Sequence, residues 1–210
     1  MERLIDNVVI GISGPAGSGK DTAANAIALA MSHKPINMKF AGTIKAFYTL
    51  CTGENFGLVE ANRELYDKPC PGYPDWTRRE WLQLVGTEGL RSLDPKFHIR
   101  AFHRQLLAQL KVIDRVTRHN PQPRMVVVTD VRFQNEADYI REIGGVVIGI
   151  KGRNPQTMSH SSETELNSIV PDITLINDKG QAALEDKCRV IAKDLLLYTQ
   201  NGTPIKNTTI

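Results

Sequence analysis

Short runs that are almost wholly apolar and rich in β-branched residues recur along the chain: Val8 to Ile12, Ile36 to Phe40, Met125 to Thr129, Val146 to Ile150 and Ile173 to Ile176. A strand without polar alternation is buried on both faces, which is the habit of a parallel sheet covered by helices on each side. Helical patterns or loops lie between these runs. One helical pattern, after Lys20, is alanine-rich; in another, Ile99, Phe102, Leu106, Leu110 and Ile113 recur at three- and four-residue spacing; a third carries Ala137, Ile140 and Ile143. A further helix starts at Thr77, where Thr77 and Glu80 have the spacing of a capping box, and stops at Asp94-Pro95. The pattern predicts an α/β, three-layer αβα architecture around a five-stranded parallel sheet. Ligands of such sheets bind outside the carboxyl ends of the strands. The positions to inspect are therefore Gly14 onward, Lys39 to Thr43, Asp130 to Arg132, Lys151 to Arg153 and Asn177 to Lys179.

The first of these edges carries Gly14-Pro15-Ala16-Gly17-Ser18-Gly19-Lys20-Asp21-Thr22, between a strand and a helix. Glycines let a backbone fold round a polyphosphate, the N–H groups of the loop and helix start point into the nest, and a lysine reaches the β- and γ-phosphates. This is a phosphate-binding loop of the P-loop NTPase kind, built from Gly14, Ala16, Gly17, Ser18, Gly19, Lys20, Asp21 and Thr22. It departs from the usual pattern at one place, because the position directly after the lysine holds Asp21 and the hydroxyl has moved to Thr22. Asp21 has two readings: stabilising the start of the helix through its dipole, or helping to hold Mg²⁺.

With 210 residues, 41% hydrophobic and 23% charged, the chain has ordinary globular composition and buries one substantial core. A single domain over residues 1–199 is expected, with inserted segments and a disordered polar tail from Gln200 to residue 210. Thr52 to Trp76 is rich in Gly, Pro, Asn and Tyr without a sustained period, and 151–162 is polar with a proline. Both read as surface loops or as lids, the second as a lid and the first as part of an acceptor-binding insert at about 43–95. The net charge of +3 demands no anionic partner. The basic residues between Arg91 and Arg124 accompany an amphipathic helix and read as its solvated face, so no stable nucleic-acid partner is expected. Cys51, Cys70 and Cys188 form neither a disulfide framework nor a zinc pattern, which fits a reducing cytoplasm. No leader-like N-terminus or membrane-length apolar run is present in the sequence, so a cytoplasmic protein is expected.

Two further constellations carry chemistry. At about 100° per residue, Trp81, Leu82, Leu84 and Val85 fall on one side of the helix from Thr77, and Arg79, Gln83, Gly86 and Thr87 on the other. An arginine and an amide one turn apart suit the phosphate and base of one nucleotide, with Gly86 allowing close approach. Val126-Val127-Val128-Thr129-Asp130 resembles a strand ending in a metal-organising aspartate, with Arg132 placed to neutralise phosphate. Asp130 also has a plainer reading, pairing with Arg132 or capping the helix that follows. Arg153 suits a lid over the phosphates, Ser162 and Glu165 have the spacing of another capping box, and His160 reads as a loop residue rather than a catalyst.

Gly14 to Thr22 resembles the phosphate loop of adenylate kinases and their nucleoside monophosphate kinase relatives, and Arg79-x-x-x-Gln83 is similar to the pair with which adenylate kinases hold the acceptor. Over most of the chain the resemblance is to the deoxynucleoside monophosphate kinases of tailed bacteriophages. It is carried by Gly19-Lys20-Asp21-Thr22, Phe40 to Lys45, Leu82 to Glu88, Asp130 to Glu136, His160 to Glu163 and Ile176-Asn177-Asp178. It weakens between Thr52 and Trp76. The resemblance implies a sheet of nucleoside monophosphate kinase type, ATP as donor, a deoxynucleoside monophosphate (dNMP) as acceptor, and Mg²⁺ as cofactor. It implies catalytic roles for Lys20, Arg79, Arg132 and Arg153, and acceptor contacts from Lys45, Arg79, Gln83, Gly86, Thr87, Asp130 and Arg132. Asp21, Thr22 and Asp130 are the candidates for metal, directly or through water. A homodimer is compatible with it. The rival readings are a kinase for another small molecule, such as dephospho-coenzyme A, and a DNA-associated ATPase.

Overall fold

The computed structural model describes residues 7–116, 124–152, 166, 168–201 and 208–210. It divides into two compact units, one formed by Met1–Lys39 with Thr117–Ile210 and the other by Phe40–Val116.

The first unit is a parallel sheet. Its strands are β1 (Asn7–Ser13), β2 (Pro35–Met38), β5 (Arg124–Val131), β6 (Val146–Gly152), β7 (Ile173–Asn177) and β8 (Thr208–Thr209), with β3 and β4 belonging to the other unit. The order across the sheet is β2-β5-β1-β6-β7-β8, and every neighbouring pair is parallel. The five predicted strands form close to their predicted bounds, apart from Lys39 and Phe40, which lie beyond β2. Helices α1 (Lys20–Ala30) and α8 (Gln181–Asn201) pack together over one face, and α7 (Gln134–Glu142) packs against β1 and β6. Val8, Ile10 and Ile12 face the α1 and α8 side with Ile27, Leu184, Cys188 and Ile191. Gly11 lies under Ile140 of α7, where a Cβ would stand 3.1 Å from the isoleucine. Burial on both faces is why these strands read as unbroken apolar runs.

The sixth strand corrects the expected tail at its end, residues 202–207 lying outside the described residues. Helix α8 continues to Asn201, and Thr208 and Thr209 pair with Ile173 and Thr174 of β7. Ile210 closes the pairing, donating its N–H to Thr174 O and accepting from Ile176 N–H, each at 3.0 Å. Residues of polar composition are held here by backbone hydrogen bonds at a sheet edge, which composition does not reveal.

The second unit runs further than the expected insert at 43–95. Its helices are α2 (Gly42–Thr52), α3 (Phe56–Ala61), α4 (Arg78–Leu82), α5 (Arg91–Leu93) and α6 (Phe97–Val116), and β3 (Pro69–Cys70) and β4 (Tyr73–Thr77) form an antiparallel hairpin. Helix α6 belongs to this unit because it buries Ile99, Phe102, Leu106 and Leu110, with Phe102 against Phe40 at 4.5 Å between ring centres. Arg100, Arg104, Lys111 and Arg115 are exposed, as the amphipathic pattern predicts. The segment from Thr52 to Trp76 is neither a plain loop nor a featureless cover. It folds into α3, a 3₁₀ turn over Arg63–Asp67 and the hairpin, all closing a core of Ile44, Tyr48, Phe56, Val59, Cys70 and Trp81. Tyr48 meets Phe56 and Trp81 edge-on, at 5.2 Å in each case. Because each short element contributes one or two side chains to this core, no single period runs through the sequence.

The helix from Thr77 forms and is capped as predicted: Thr77 Oγ1 accepts from Glu80 N–H and the Glu80 carboxylate accepts from Thr77 N–H. Its continuation, Gln83–Leu90, is π-helical. Hydrogen bonds from i to i+5 widen the turn, so residues after Gln83 are carried round the axis relative to an α-helical count.

Candidate active site

In the first unit the loop after β1 turns through conformations that only glycine adopts without strain. Gly14 has φ 150°, and a Cβ there would stand 2.7 Å from Ile150 O and 2.9 Å from Ser18 Oγ. Gly19, at φ 98°, caps α1, and a Cβ would meet Leu184 Cδ2 at 2.8 Å and Asn177 Nδ2 at 3.1 Å. The chain is therefore folded tightly on itself just where the helix begins, with the first backbone N–H groups of α1 lacking intrahelical acceptors by construction. Lys20 curls over the loop and its Nζ donates to Gly14 O at 2.7 Å and Pro15 O at 2.6 Å. An ammonium anchored on two loop carbonyls lies where the loop can also present it to a polyphosphate. Ala16 and Gly17 are exposed, Ser18 is buried, Asp21 is exposed and Thr22 half-buried in the first turn of α1. The buried Ser18 Oγ has no hydrogen-bond partner among the described residues.

Asp130 lies on β5, the immediate neighbour of β1, near the carboxyl end from which the loop also emerges. Register between the two strands slips there: Gly11 pairs with Val128 but Ser13 with Val131. One extra residue on β5 is a bulge, and bulges re-aim side chains at the ends of strands. Arg132 follows and is exposed. The start of α7 is held by the buried Glu136, whose carboxylate accepts from the N–H groups of Arg132 at 2.9 Å and Phe133 at 3.3 Å. Lys151 and Gly152 end β6; Arg153, His160, Ser162 and Glu165, with the rest of the lid predicted at 151–162, lie outside the described residues.

These residues fit a nucleotide's Mg²⁺. Among the described residues no three His, Cys, Asp or Glu side chains form a ready-made cage. A nucleotide-bound Mg²⁺ takes most of its ligands from phosphates and water and needs only one or two hard oxygens from protein. The Thr22 hydroxyl and the carboxylates of Asp130 and Asp21 are donors of that kind.

The second unit gathers the other predicted residues, with two corrections. Arg79 is half-exposed and pairs with Asp67, Nε to Oδ1 at 2.9 Å, while its guanidinium lies 5.5 Å from the centre of the Tyr66 ring. Gln83 and Thr87 are half-buried. Gly86 does not line an open face. It is buried where a Cβ would come 3.3 Å from Ile44 Cγ1, and its carbonyl accepts from His98 Nε2 at 3.0 Å, so the close approach it permits is that of α2. The π-helical turn explains the misplacement, since the predicted face assumed 3.6 residues per turn. Lys45 is not an open cation either: it pairs with Glu60 at 2.6 Å and lies over the Phe56 ring.

Two contacts escape sequence reasoning. Arg78, adjacent to Arg79, is buried and grips Glu54 with two bonds while donating to Pro69 O at 2.8 Å. The guanidinium holds the Glu54 carboxyl below the usual carboxylate range, and burial pushes the Tyr48 phenol, which donates to Glu54, up. Glu54 and Arg78 are 24 positions apart with no motif to join them. The other is that of Asn177, whose Nδ2 donates to Ser18 O in the loop at 3.0 Å. Asn177 itself is marked in the sequence, as the end of a buried strand and within Ile176-Asn177-Asp178; its partner in the loop is not.

The model of the deoxynucleotide monophosphate kinase family matches residues 65–188. A protein of Acanthamoeba polyphaga mimivirus, described provisionally as a deoxynucleotide monophosphate kinase, is 35% identical over 189 residues, covering 82% of this chain and 89% of its own. Among solved structures, a dephospho-CoA kinase from Campylobacter jejuni aligns with 90% of this chain and 98% of its own at 15% identity, with a TM-score of 0.44. The family model spans more than half of the chain and the viral relative nearly all of its own length, so this chain belongs to the deoxynucleotide monophosphate kinase family, whose members are phosphotransferases.

Proposed function

We propose that the protein transfers the γ-phosphoryl group of ATP to the 5′-phosphate of a dNMP, giving ADP and a deoxynucleoside diphosphate. The observation that carries this reading is the loop from Gly14 to Thr22, folded at the helix start with Lys20 anchored over it, in a chain of the deoxynucleotide monophosphate kinase family.

Transfer between two anions needs positive charge and positioning more than acid–base chemistry. Lys20 and the loop N–H groups bind the β- and γ-phosphates and stabilise the charge that spreads over the transferring group. Thr22, Asp130 and Asp21 would hold Mg²⁺, directly or through water. Held there, the ion would neutralise phosphate charge. Arg132, exposed beyond Asp130, neutralises phosphate, and Arg153 does so from the predicted lid. On the acceptor side, Arg79 takes the monophosphate, exchanging the Asp67 carboxylate for a dianion. Gln83 reads the base edge, and Thr87 is a lesser contact. Lys45 contributes only after leaving Glu60, and Gly86 acts through packing. Mg²⁺ dependence and a place in DNA precursor synthesis follow from the same reading, with a cytoplasmic setting that is the host's if the chain is phage-encoded.

The test is ADP formation from Mg-ATP across a panel of nucleoside and deoxynucleoside monophosphates, with products separated chromatographically. Turnover that requires a dNMP supports the reading. ADP release that ignores every monophosphate and responds to polynucleotide overturns it.

A further inference from the structure

The peptide between Ser18 and Gly19 is tied to the far side of the sheet's carboxyl edge. Asn177, at the end of β7 and 159 positions away in sequence, donates its Nδ2 proton to Ser18 O at 3.0 Å. The bond is sheltered: Ser18 is 6% exposed and Asn177 half-buried, so water competes little for it. On the same side, Asn177 Nδ2 and Leu184 Cδ2 crowd the position of a Cβ on Gly19. The peptide is therefore held by a hydrogen bond and by contact.

This tether matters because the loop does not fix the peptide by itself. A glycine follows the bond, and glycine tolerates positive and negative φ about equally, so rotation of the whole peptide plane is locally cheap. The described peptides are all trans, and in a trans peptide the C=O and N–H point in opposite directions. Holding Ser18 O toward Asn177 consequently turns the Gly19 N–H away from it. Releasing the carbonyl leaves that N–H without a fixed direction.

We propose that Asn177 is a positioning residue for phosphoryl transfer: through Ser18 O it keeps the Gly19 N–H aimed at the phosphates of the donor. The proposal rests on the loop being the ATP phosphate site. It differs from a role in which the Asn177 amide touches the base of ATP, because a residue that acts through the loop affects a ligand with no base at all.

Inorganic tripolyphosphate and ATP are the probes, each titrated calorimetrically with Mg²⁺ into wild type, Asn177→Leu and Asn177→Ala. Leucine preserves the branched shape without charge or hydrogen bonding. Loss of one sheltered hydrogen bond is expected to weaken both ligands by the same factor, roughly 3- to 10-fold. Weakening of ATP alone overturns the proposal in favour of base contact, and unchanged affinity for both overturns it outright. If wild type binds neither probe, the loop assignment itself fails, a result distinct from either. A measurement that needs no variant stands beside these: in a ¹⁵N spectrum of wild type, saturating tripolyphosphate should displace the Gly19 amide resonance. A Gly19 resonance that stays in place also overturns the proposal.

Discussion

Arg78 and Glu54 form a two-point ion pair, with Nε 2.7 Å from Oε2 and Nη2 2.6 Å from Oε1, that joins the start of α4 to the loop between α2 and α3. The same guanidinium reaches Pro69 O, so one side chain gathers three short elements that have little propensity to hold together alone. Removing either partner leaves the other charge poorly solvated. Arg78→Ala or Glu54→Gln is expected to cost roughly 2–4 kcal/mol, at the lower side of values for buried pairs because the Glu54 side chain keeps 21% exposure. Chemical unfolding monitored by the fluorescence of Trp76 and Trp81, both in this unit, checks this.

The same pair gives an acid limit with a definite sign. The folded Glu54 carboxyl is held below its unfolded value, chiefly by the Arg78 hydrogen bonds. Its contribution is complete above the unfolded carboxylate range, about pH 4.3, and is lost as pH falls through the lower folded value. Stability measured from pH 7 downward should therefore fall less steeply for Glu54→Gln than for wild type in that acid range. Parallel curves for the two proteins would contradict the assignment.

Lys20→Ala should reduce transfer by about 10²- to 10³-fold or more while leaving the melting temperature nearly unchanged. The Lys20 ammonium bonds the loop carbonyls of Gly14 and Pro15, and it is not part of the packed core. Near-normal turnover with Mg-ATP would rule out its role on the phosphates.

Asp21 and Thr22 separate by their metal dependence. Asp21→Asn keeps the shape and removes the charge, so it should raise the Mg²⁺ concentration giving half-maximal rate if the carboxylate organises the ion. Thr22→Val removes the hydroxyl at constant volume. A shift for Thr22→Val with none for Asp21→Asn would leave Asp21 as a residue that stabilises the start of α1 through the helix dipole.

The acceptor reading predicts two different failures. Arg79→Ala should raise KM for every monophosphate alike, since the phosphate is common to all. Gln83→Ala should instead reorder the bases. Asp67→Asn should lower KM for all acceptors, because the phosphate then no longer displaces a charged partner from Arg79. Wild-type kinetics in all three variants would move the acceptor site elsewhere.

The elements legible in the sequence were those set by local rules. Buried runs gave the parallel strands, Thr77 and Glu80 announced their helix, and the glycines with Lys20 marked the loop, because each signal lies within a few residues of its cause. What escaped was set at long range. The reach of Asn177 to Ser18, the grip of Arg78 on Glu54, and the edge strand at Thr208–Thr209 depend on partners brought together by folding. Gly86 was misread for a different reason: a helix-face argument presumes the α-helical turn, and the helix leaves that geometry at Gln83. Asp130 and Arg132 were legible as the end of a strand, but the bulge beside them and the capping by Glu136 were not.

The three thiols differ in a way that makes the second unit easy to follow in solution. Cys70 and Cys188 are buried, the first raised by desolvation and the second pushed up to about 11, so both stay as inert thiols at neutral pH. Cys51 is exposed near the end of α2, one turn after Phe47 and Tyr48. A maleimide fluorophore added to the unaltered protein should therefore attach at one place, next to the aromatic core, and give a built-in optical reporter for substrate titrations without any engineered cysteine.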